Sequence, residues 1–132
     1  GFQVEGVDIS EVAVQKALAD AKLLHVNLKA SAEDLNDYHF QDNYYDLVVI
    51  CQFYSKALVP QFKKSVKKGG YIMFYNKLDV QDTATAGRTT TPDDFAVKSG
   101  ELKEILKDFQ VKEYREFKDQ GTRIAAILAK KP

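Results

Sequence analysis

The chain has 132 residues, 45% of them apolar and 29% charged, which is enough for one hydrophobic core and too few for two. Its 19 basic and 19 acidic residues cancel, so no overall positive charge is present to attract nucleic acid or an anionic membrane surface. Neither nucleic acid nor a membrane is therefore expected as a partner. The single cysteine, Cys51, cannot form an internal disulfide or a CxxC pair, which favours a reducing cytoplasm.

The N terminus of the sequence differs from that of a primary translation product. Gly1 is the first residue and the only methionine is Met73. We therefore expect a processed product or part of a longer chain. Residues 1–132 are predicted to form a single domain, truncated at its N-terminal side.

The first third of the sequence predicts a strand, a helix and a second strand. Phe2–Asp8 alternates apolar and polar residues, as a short strand does. Ser10 is a suitable N-cap for a helix whose apolar residues recur at helical spacing as far as Leu24. His25–Ala30 alternates again and predicts the second strand, and the polar stretch Ser31–Asn43 predicts a loop.

The middle of the chain predicts a strand, a helix and a strand. Tyr45–Cys51 is almost continuously apolar and β-branched, the pattern of a central parallel strand that is buried on both faces. Lys56–Lys68 places apolar residues on one helical face, and Gly69–Gly70 is expected to end that helix. Tyr71–Tyr75 predicts the next strand.

The last third predicts a long loop, a short helix and a hairpin. Asn76–Lys98 lacks periodicity and has the length of a lid. Gly100–Phe109 predicts a helix, and Val111–Lys118 and Thr122–Ala129 predict two strands joined at Asp119–Gln120–Gly121. The order of elements indicates an α/β fold with an open, mostly parallel sheet and a C-terminal antiparallel hairpin.

Asp8 is the first candidate for a binding residue. It follows a strand and precedes a helix, the position at which open α/β sheets bind nucleotides and at which a carboxylate accepts hydrogen bonds from ribose hydroxyls. The alternative interpretation is that Asp8 has no ligand and only begins the turn and helps to cap the helix at Ser10. Spacing alone favours neither interpretation.

The remaining chemically active residue types give weaker signals. His25 and His39 have no cysteine or acid at ligand spacing, so no metal site is expected. Cys51 has no basic partner nearby in the sequence, which predicts an inert core residue. Four aromatic residues at strand ends either line a pocket or pack in the core: Phe53, Tyr54, Phe74 and Tyr75.

Several segments in register resemble a known enzyme family. Val4–Ser10, Tyr45–Val49 and Lys67–Ile72 resemble successive motifs of the class I S-adenosylmethionine-dependent methyltransferases, which have a Rossmann-like fold. The tail is similar to the tellurite-resistance-type branch of that family in four segments: Gly87–Arg88, Pro92–Phe95, Ser99–Leu102 and Ala126–Pro132. The tellurite label does not identify an acceptor, because acceptor choice depends on the shape of the pocket.

The resemblance implies a set of cofactor-binding residues. Asp8 would bind the ribose hydroxyls and Ile9 would pack on the adenine. The base edge would lie near Ser31, Ala32 and Glu33; Ser31 stands where many family members have an aspartate, and Asp34 is a candidate substitute. The methionine part of the cofactor would face Cys51, Gln52 and Phe53. Acceptor binding would fall to Phe53, Tyr54 and the Asn76–Lys98 segment, including Arg88, and no catalytic residue is assigned.

The sequence also departs from the family. The family's first strand, its Gly-rich loop and the helix after them have no counterpart here, and no GxGxG occurs. In the family's sheet that strand lies between the strands assigned to Gln3–Asp8 and Tyr45–Cys51. We therefore expect either upstream residues that complete the sheet or exposed edges that pair with each other or with a second chain, as in a homodimer.

If the upstream strand and Gly-rich loop are present, the expected activity is methyl transfer from S-adenosylmethionine to a small-molecule acceptor. Two alternatives remain open. One is a Rossmann enzyme that binds an NAD-type dinucleotide, for which Asp8 is equally suitable. The other is a non-catalytic domain that has lost its cofactor loop and acts in oligomerisation or binding.

Overall fold

The computed structural model describes residues 1–79 and 95–132. These residues form two compact units, Gly1–His39 and Phe40–Pro132. Arg88 and most of the predicted lid lie outside the described residues, and the single domain over 1–132 stays a prediction.

The first unit is a strand–helix–strand motif. Strand β1 spans Val4–Asp8, helix α1 spans Glu11–Leu23 and strand β2 spans Leu28–Ala32. The two strands are parallel, and their register places Asp8 opposite Ala32. The predicted order of elements is therefore confirmed for this part of the chain.

Both ends of α1 are capped by local hydrogen bonds. Ser10 is the N-cap, as predicted, and its Oγ accepts from the backbone N–H of Ala13 at 3.1 Å. At the other end, Val26 N donates to Ala21 O and His25 N donates to Lys22 O, while His25 has a left-handed φ of 54°. This is a Schellman motif with histidine in the place that glycine usually takes. The prediction that β2 begins at His25 is therefore wrong, because residues 24–26 close the helix.

The second unit contains a four-stranded sheet with strand order β3-β4-β6-β5. Its elements are β3 (Tyr45–Cys51), α2 (Val59–Ser65), β4 (Val66–Lys77), α3 (Glu101–Ile105), β5 (Gln110–Asp119) and β6 (Thr122–Lys130). Strands β3 and β4 are parallel, whereas β6 pairs antiparallel with both β4 and β5. The α/β class and the closing antiparallel hairpin are confirmed.

The core of the second unit lies on one face of this sheet. Its largest fully buried side chains include Phe74, Ile72, Leu102, Leu106 and Val66. The ring of Phe62 on α2 meets that of Phe74 at a centroid distance of 6.4 Å. Phe74 is therefore a core residue, which confirms the packing interpretation for this member of the aromatic cluster.

Strand β3 is not the doubly buried central strand that its apolar run predicts. Among the described residues it lies at an edge of the sheet and pairs with β4. Only Ile50 is buried in it, while Leu47 and Val49 on the opposite face are 51% and 54% exposed. The run is long and apolar enough for a buried strand, but burial also needs neighbours on both sides.

Helix α2 is shorter than its sequence pattern predicts, and Gly69–Gly70 does not end it. The helix stops at Ser65, and both glycines lie within β4. Here the pairing with β3 shifts register, Gly69 has a left-handed φ of 78°, and a Cβ on Gly70 would lie 2.9 Å from the carbonyl oxygen of Asp46. A bulge that requires glycine in a strand therefore has the same sequence signature as a helix C-terminus.

The C-terminal hairpin agrees with its prediction to within a residue or two. Its two-residue turn consists of Gln120 and Gly121, with φ values of 47° and 83°. Two successive left-handed residues are the geometry of a type I′ turn, which matches the twist of the flanking strands.

Within residues 1–79 and 95–132, no helix is both long enough and apolar enough to cross a membrane. A cytoplasmic location stays a prediction.

Candidate functional site

The exposed carboxylate of Asp8 lies at the carboxyl end of β1, directly before α1. Its Oδ1 accepts a hydrogen bond from the backbone N–H of Ser10 at 2.7 Å. The turn interpretation of this residue is therefore correct. That bond engages one carboxylate oxygen of an exposed side chain, so the geometry is equally compatible with a ligand hydroxyl at the other oxygen.

The end of β2 lies beside Asp8, because Glu33 N donates to Asp8 O at 3.0 Å. Ser31 Oγ donates to Glu33 Oε2 at 2.8 Å, so these two predicted base-edge residues are in direct contact. Asp34, the candidate substitute for the family aspartate, has its Oδ1 occupied by the backbone and side-chain nitrogens of Asn36. Ile9, the predicted adenine-packing residue, is 75% exposed.

In the first unit, the structure thus brings together all five residues that were predicted to bind the adenosine part of the cofactor: Asp8, Ile9, Ser31, Ala32 and Glu33. They lie where two parallel strands end and a helix begins, the general position of ligand sites in open α/β sheets. Their role in binding stays a prediction.

In the second unit, Cys51 and Gln52 lie at the carboxyl end of β3 and both are exposed. The interpretation of Cys51 as a buried core residue is therefore wrong, because it is the last residue of an edge strand. Gln52 has a left-handed φ of 53°, and its N–H donates to Tyr75 O at 2.8 Å. A residue other than glycine in this conformation is uncommon outside turns and functional sites.

Phe53 and Phe95 come together beside the end of β4. Their ring centroids are 5.1 Å apart, and Phe95 is 45% exposed. Asn76, which is fully buried, donates from Nδ2 to Phe53 O at 2.8 Å and to Phe95 O at 3.5 Å. The side chain of Asn76 therefore joins the chain after β3 to the chain before α3.

Tyr54, predicted to bind the acceptor, is only 7% exposed. Its phenol lies beside the carboxylate of Glu101, the first residue of α3. Burial, followed by the neighbouring carboxylate, raises the pKa of Tyr54 well above its ordinary value, so the phenol is neutral at physiological pH. Neither Tyr54 Oη nor Glu101 Oε2 completes a hydrogen bond among the residues that the structure describes.

The start of α3 is held by strand β5. The backbone N–H of Gly100 donates to Tyr114 Oη at 2.9 Å and to Glu116 Oε1 at 3.2 Å, and Ser99 Oγ donates to Glu116 at 2.7 Å. Hydrogen bonds from Tyr114 and Ser99 lower the pKa of Glu116. This network fixes the position of Glu101, which follows Gly100 directly.

Two residues of this region were not identified from the sequence. Asn76 was assigned to a loop, whereas β4 continues to Lys77. Glu101 was noticed only as part of a motif. Neither a single asparagine nor one acidic residue among 19 has a sequence pattern that predicts burial. The contacts of Asn76 with Phe53 and of Glu101 with Tyr54 join residues that are far apart in the sequence.

Comparison with known proteins identifies the family. Residues 1–70 match the methyltransferase domain family. This segment is more than half of the chain and includes β1, α1, β2 and β3. The chain belongs to the methyltransferase domain family, so the resemblance described above is confirmed.

A relative from Haemophilus influenzae, named as the probable S-adenosyl-L-methionine-dependent methyltransferase TehB, is 26% identical over 148 residues, which cover 99% of this chain and 50% of TehB. The crystal structure of TehB matches all of this chain with a TM-score of 0.80 and 22% identity, and the match covers 51% of that chain. The chain thus spans about half the length of TehB.

The fold alone does not fix the reaction. The crystal structure of the [4+2]-cyclase SpnF matches 99% of this chain and 66% of its own, with a TM-score of 0.75 and 15% identity. A protein with a different named activity therefore shares this architecture, so function must be argued from the site.

Proposed function

We propose that the protein is an S-adenosylmethionine-dependent methyltransferase that acts on a small-molecule acceptor. The observation that carries the proposal is the exposed carboxylate of Asp8 at the end of β1, beside the end of β2, within the segment that matches the methyltransferase domain family. The naming of TehB as a methyltransferase that uses this cofactor supports the choice of cofactor.

The residues present fit the adenosine half of S-adenosylmethionine. Asp8 accepts hydrogen bonds from the ribose hydroxyls, which are charge-assisted and therefore stronger than those between neutral groups. Ile9 supplies an exposed apolar surface for the adenine ring. Ser31, Ala32 and Glu33 border the base, with Ser31 and Glu33 held in place by their mutual hydrogen bond.

The proposed chemistry is a direct displacement. When bound, the cofactor would supply a methyl group on a positively charged sulfur, which would be neutralised as it keeps the electron pair of the broken methyl carbon–sulfur bond. The protein's part is to align the attacking atom with that bond, and positioning of this kind accounts for much of the rate enhancement in such reactions. On the protein side, Cys51 and Gln52 would border the methionine part, and Phe53 and Tyr54 would border the acceptor.

Comparing thermal shifts with S-adenosylhomocysteine and with NAD tests the proposal. The full-length protein is expected to melt several degrees higher with S-adenosylhomocysteine at about 100 times its Kd, where binding adds about 2.7 kcal/mol. NAD is expected to leave the melting temperature unchanged. A shift with NAD alone would indicate a dinucleotide enzyme, and a folded protein that responds to neither would indicate a non-catalytic domain.

A further inference from the structure

Gln52, the residue directly after β3, has an unusual backbone conformation. Its φ of 53° is left-handed, a region that residues other than glycine seldom occupy. Such a conformation is unfavourable by itself and persists only where the surrounding structure holds it in place. The contacts on either side of Gln52 therefore determine how this part of the chain is presented.

Two consecutive residues of β4 hold the chain at Gln52 and at the residue after it. The backbone N–H of Gln52 donates to Tyr75 O at 2.8 Å, and Asn76 Nδ2 donates to Phe53 O at 2.8 Å. The first bond joins two main-chain atoms, so any residue at position 75 supplies it. The second bond exists only because the side chain at position 76 carries a donor.

The orientation of the Asn76 amide is determined by its neighbours. It faces the carbonyl oxygens of Phe53 and Phe95, which accept hydrogen bonds and do not donate them. The NH₂ group must therefore point to them, with the bond to Phe95 O the longer of the two at 3.5 Å. The rings of Phe53 and Phe95 are also in contact, with centroids 5.1 Å apart.

The segment that contains Phe95 has main-chain bonds of its own to the end of β4. Val97 N donates to Lys77 O at 2.9 Å, and Asp79 N donates to Val97 O at 2.7 Å. Residues 95–97 are therefore held without the help of Asn76. We accordingly expect the loss of the Asn76 amide to act chiefly on Gln52 and Phe53.

Asn76 occupies a position that favours an apolar residue. Ile72, Phe74 and Asn76 alternate along β4 on the core face, and all three are fully buried. An amide in such a place costs free energy unless hydrogen bonds compensate for its burial. Leucine has the same branched shape and would pack there without that cost. The bond to Phe53 is what distinguishes asparagine from leucine at this position.

We propose that Asn76 is a positioning residue for cofactor binding, which holds Phe53 and, with it, the left-handed Gln52 beside the methionine part of S-adenosylmethionine. The inference rests on the function proposed above and adds to it a residue that touches neither cofactor nor acceptor. Because Asn76 acts through residues 52 and 53, its effect is on the methionine part of the cofactor and not on the adenosine part.

Two ligands that differ by the methionine part test the inference. The Kd values of S-adenosylhomocysteine and of adenosine are measured by NMR titration of the full-length protein. Asn76→Leu keeps the branched shape and removes the donor. It is expected to weaken S-adenosylhomocysteine about fivefold and to leave adenosine within about twofold, since the net effect of one hydrogen bond is of this order. Unchanged binding of S-adenosylhomocysteine, or equal weakening of both ligands, would overturn the inference.

A double-mutant cycle tests whether Asn76 acts through Gln52. Gln52→Ala is expected to weaken S-adenosylhomocysteine in the wild-type background. In the Asn76→Leu background the same change is expected to alter the Kd by less than about twofold, because the Gln52 side chain is already displaced there. Equal effects of Gln52→Ala in the two backgrounds would contradict a positioning role.

Ser65→Ala is the matched control for loss of a buried donor. Ser65 is fully buried and its Oγ donates to Phe62 O at 2.8 Å, so this variant also deprives a backbone carbonyl of the same core of its side-chain partner. It is expected to lower the melting temperature and to leave both Kd values within about twofold. A Ser65→Ala protein that lost affinity for S-adenosylhomocysteine alone would show that general destabilisation suffices, and the inference would be wrong.

A second variant and a separate outcome keep the two proposals distinguishable. Asn76→Ala removes the same donor without adding volume to the core and is expected to give the same pattern as Asn76→Leu, and thermal unfolding shows which variants are folded. If the wild-type protein binds S-adenosylhomocysteine and neither variant alters its Kd relative to that of adenosine, the proposed function stands and the inference is lost. If the wild-type protein does not bind S-adenosylhomocysteine, the proposed function is lost as well.

Discussion

Replacing Asp8 by asparagine is expected to weaken binding of S-adenosylhomocysteine by about tenfold or more. The expectation follows from losing one charge-assisted hydrogen bond, worth about 1.5–3 kcal/mol, since 1.4 kcal/mol corresponds to a factor of ten in Kd. The amide keeps an oxygen for the N–H of Ser10, so the turn before α1 is preserved. Isothermal titration calorimetry on the full-length protein measures the change, and Asp8→Ala is expected to weaken binding at least as much.

Ser10→Ala is the matched control for Asp8→Asn. It removes the N-cap bond from Ala13 N to Ser10 Oγ and is expected to cost about 1 kcal/mol of stability. Binding should stay within about twofold of wild type, because Ser10 does not face the ribose in this account. If Asp8→Asn left the affinity unchanged, Asp8 would be a turn residue and nothing more.

The second large effect is expected at Lys131, near the C terminus. Its three N–H groups are shared among four acceptors: Val66 O at 2.8 Å, Lys63 O at 3.0 Å, Asn43 Oδ1 at 3.3 Å and Lys64 O at 3.5 Å. Lys63 and Lys64 lie in the last turn of α2 and Val66 is its C-cap, so these three carbonyls lack partners within the helix. A cation there also interacts favourably with the helix dipole.

Lys131→Met is therefore expected to lower the free energy of unfolding by about 2–3 kcal/mol, since hydrogen bonds from a charged donor are the stronger kind. Lys130→Met is the control at the adjacent position. Lys130 Nζ lies 5.8 Å from the ring centroid of Tyr71, an interaction worth about 0.5–1 kcal/mol when exposed. Urea unfolding measures both variants, and equal losses at the two positions would refute the helix-capping role of Lys131.

Local sequence signals predicted those elements that local hydrogen bonds determine. Helix α1 begins at its Ser10 cap, and the hairpin turns at Gln120–Gly121. In both cases residues within a few positions of each other supply the geometry. The strand Tyr45–Cys51 was likewise predicted with its observed bounds, because its apolar run is long and sharply delimited.

The errors arose where one signal has two structural meanings. Glycine serves both helix ends and strand bulges, so Gly69–Gly70 was assigned to the wrong one. A Schellman motif usually has glycine, so histidine at position 25 concealed the end of α1. The burial of β3 depends on which strands lie beside it, and no local pattern contains that information.

Some residues of the candidate site could likewise be predicted from the sequence, and others could not. Asp8 was found from its position between a strand and a helix, whereas Ser31, Ala32 and Glu33 came only from the family resemblance. The parallel pairing of β1 and β2 places them beside Asp8. Asn76 and Glu101 were not found, because their significance is that their polar atoms are buried beside Phe53 and Tyr54. The burial of these polar groups depends on the packing of residues that are some 20–50 positions apart in the sequence, and no local pattern reveals it.

The central claim is that the carboxyl ends of β1 and β2 hold the adenosine part of S-adenosylmethionine. The most direct test is a titration of the ¹⁵N-labelled full-length protein with S-adenosylhomocysteine, followed through its backbone amide signals. The account predicts that the amides of residues 8–10 and 31–33 shift together and saturate with one Kd. Saturable binding that leaves both segments unshifted, or no binding at all, would contradict it.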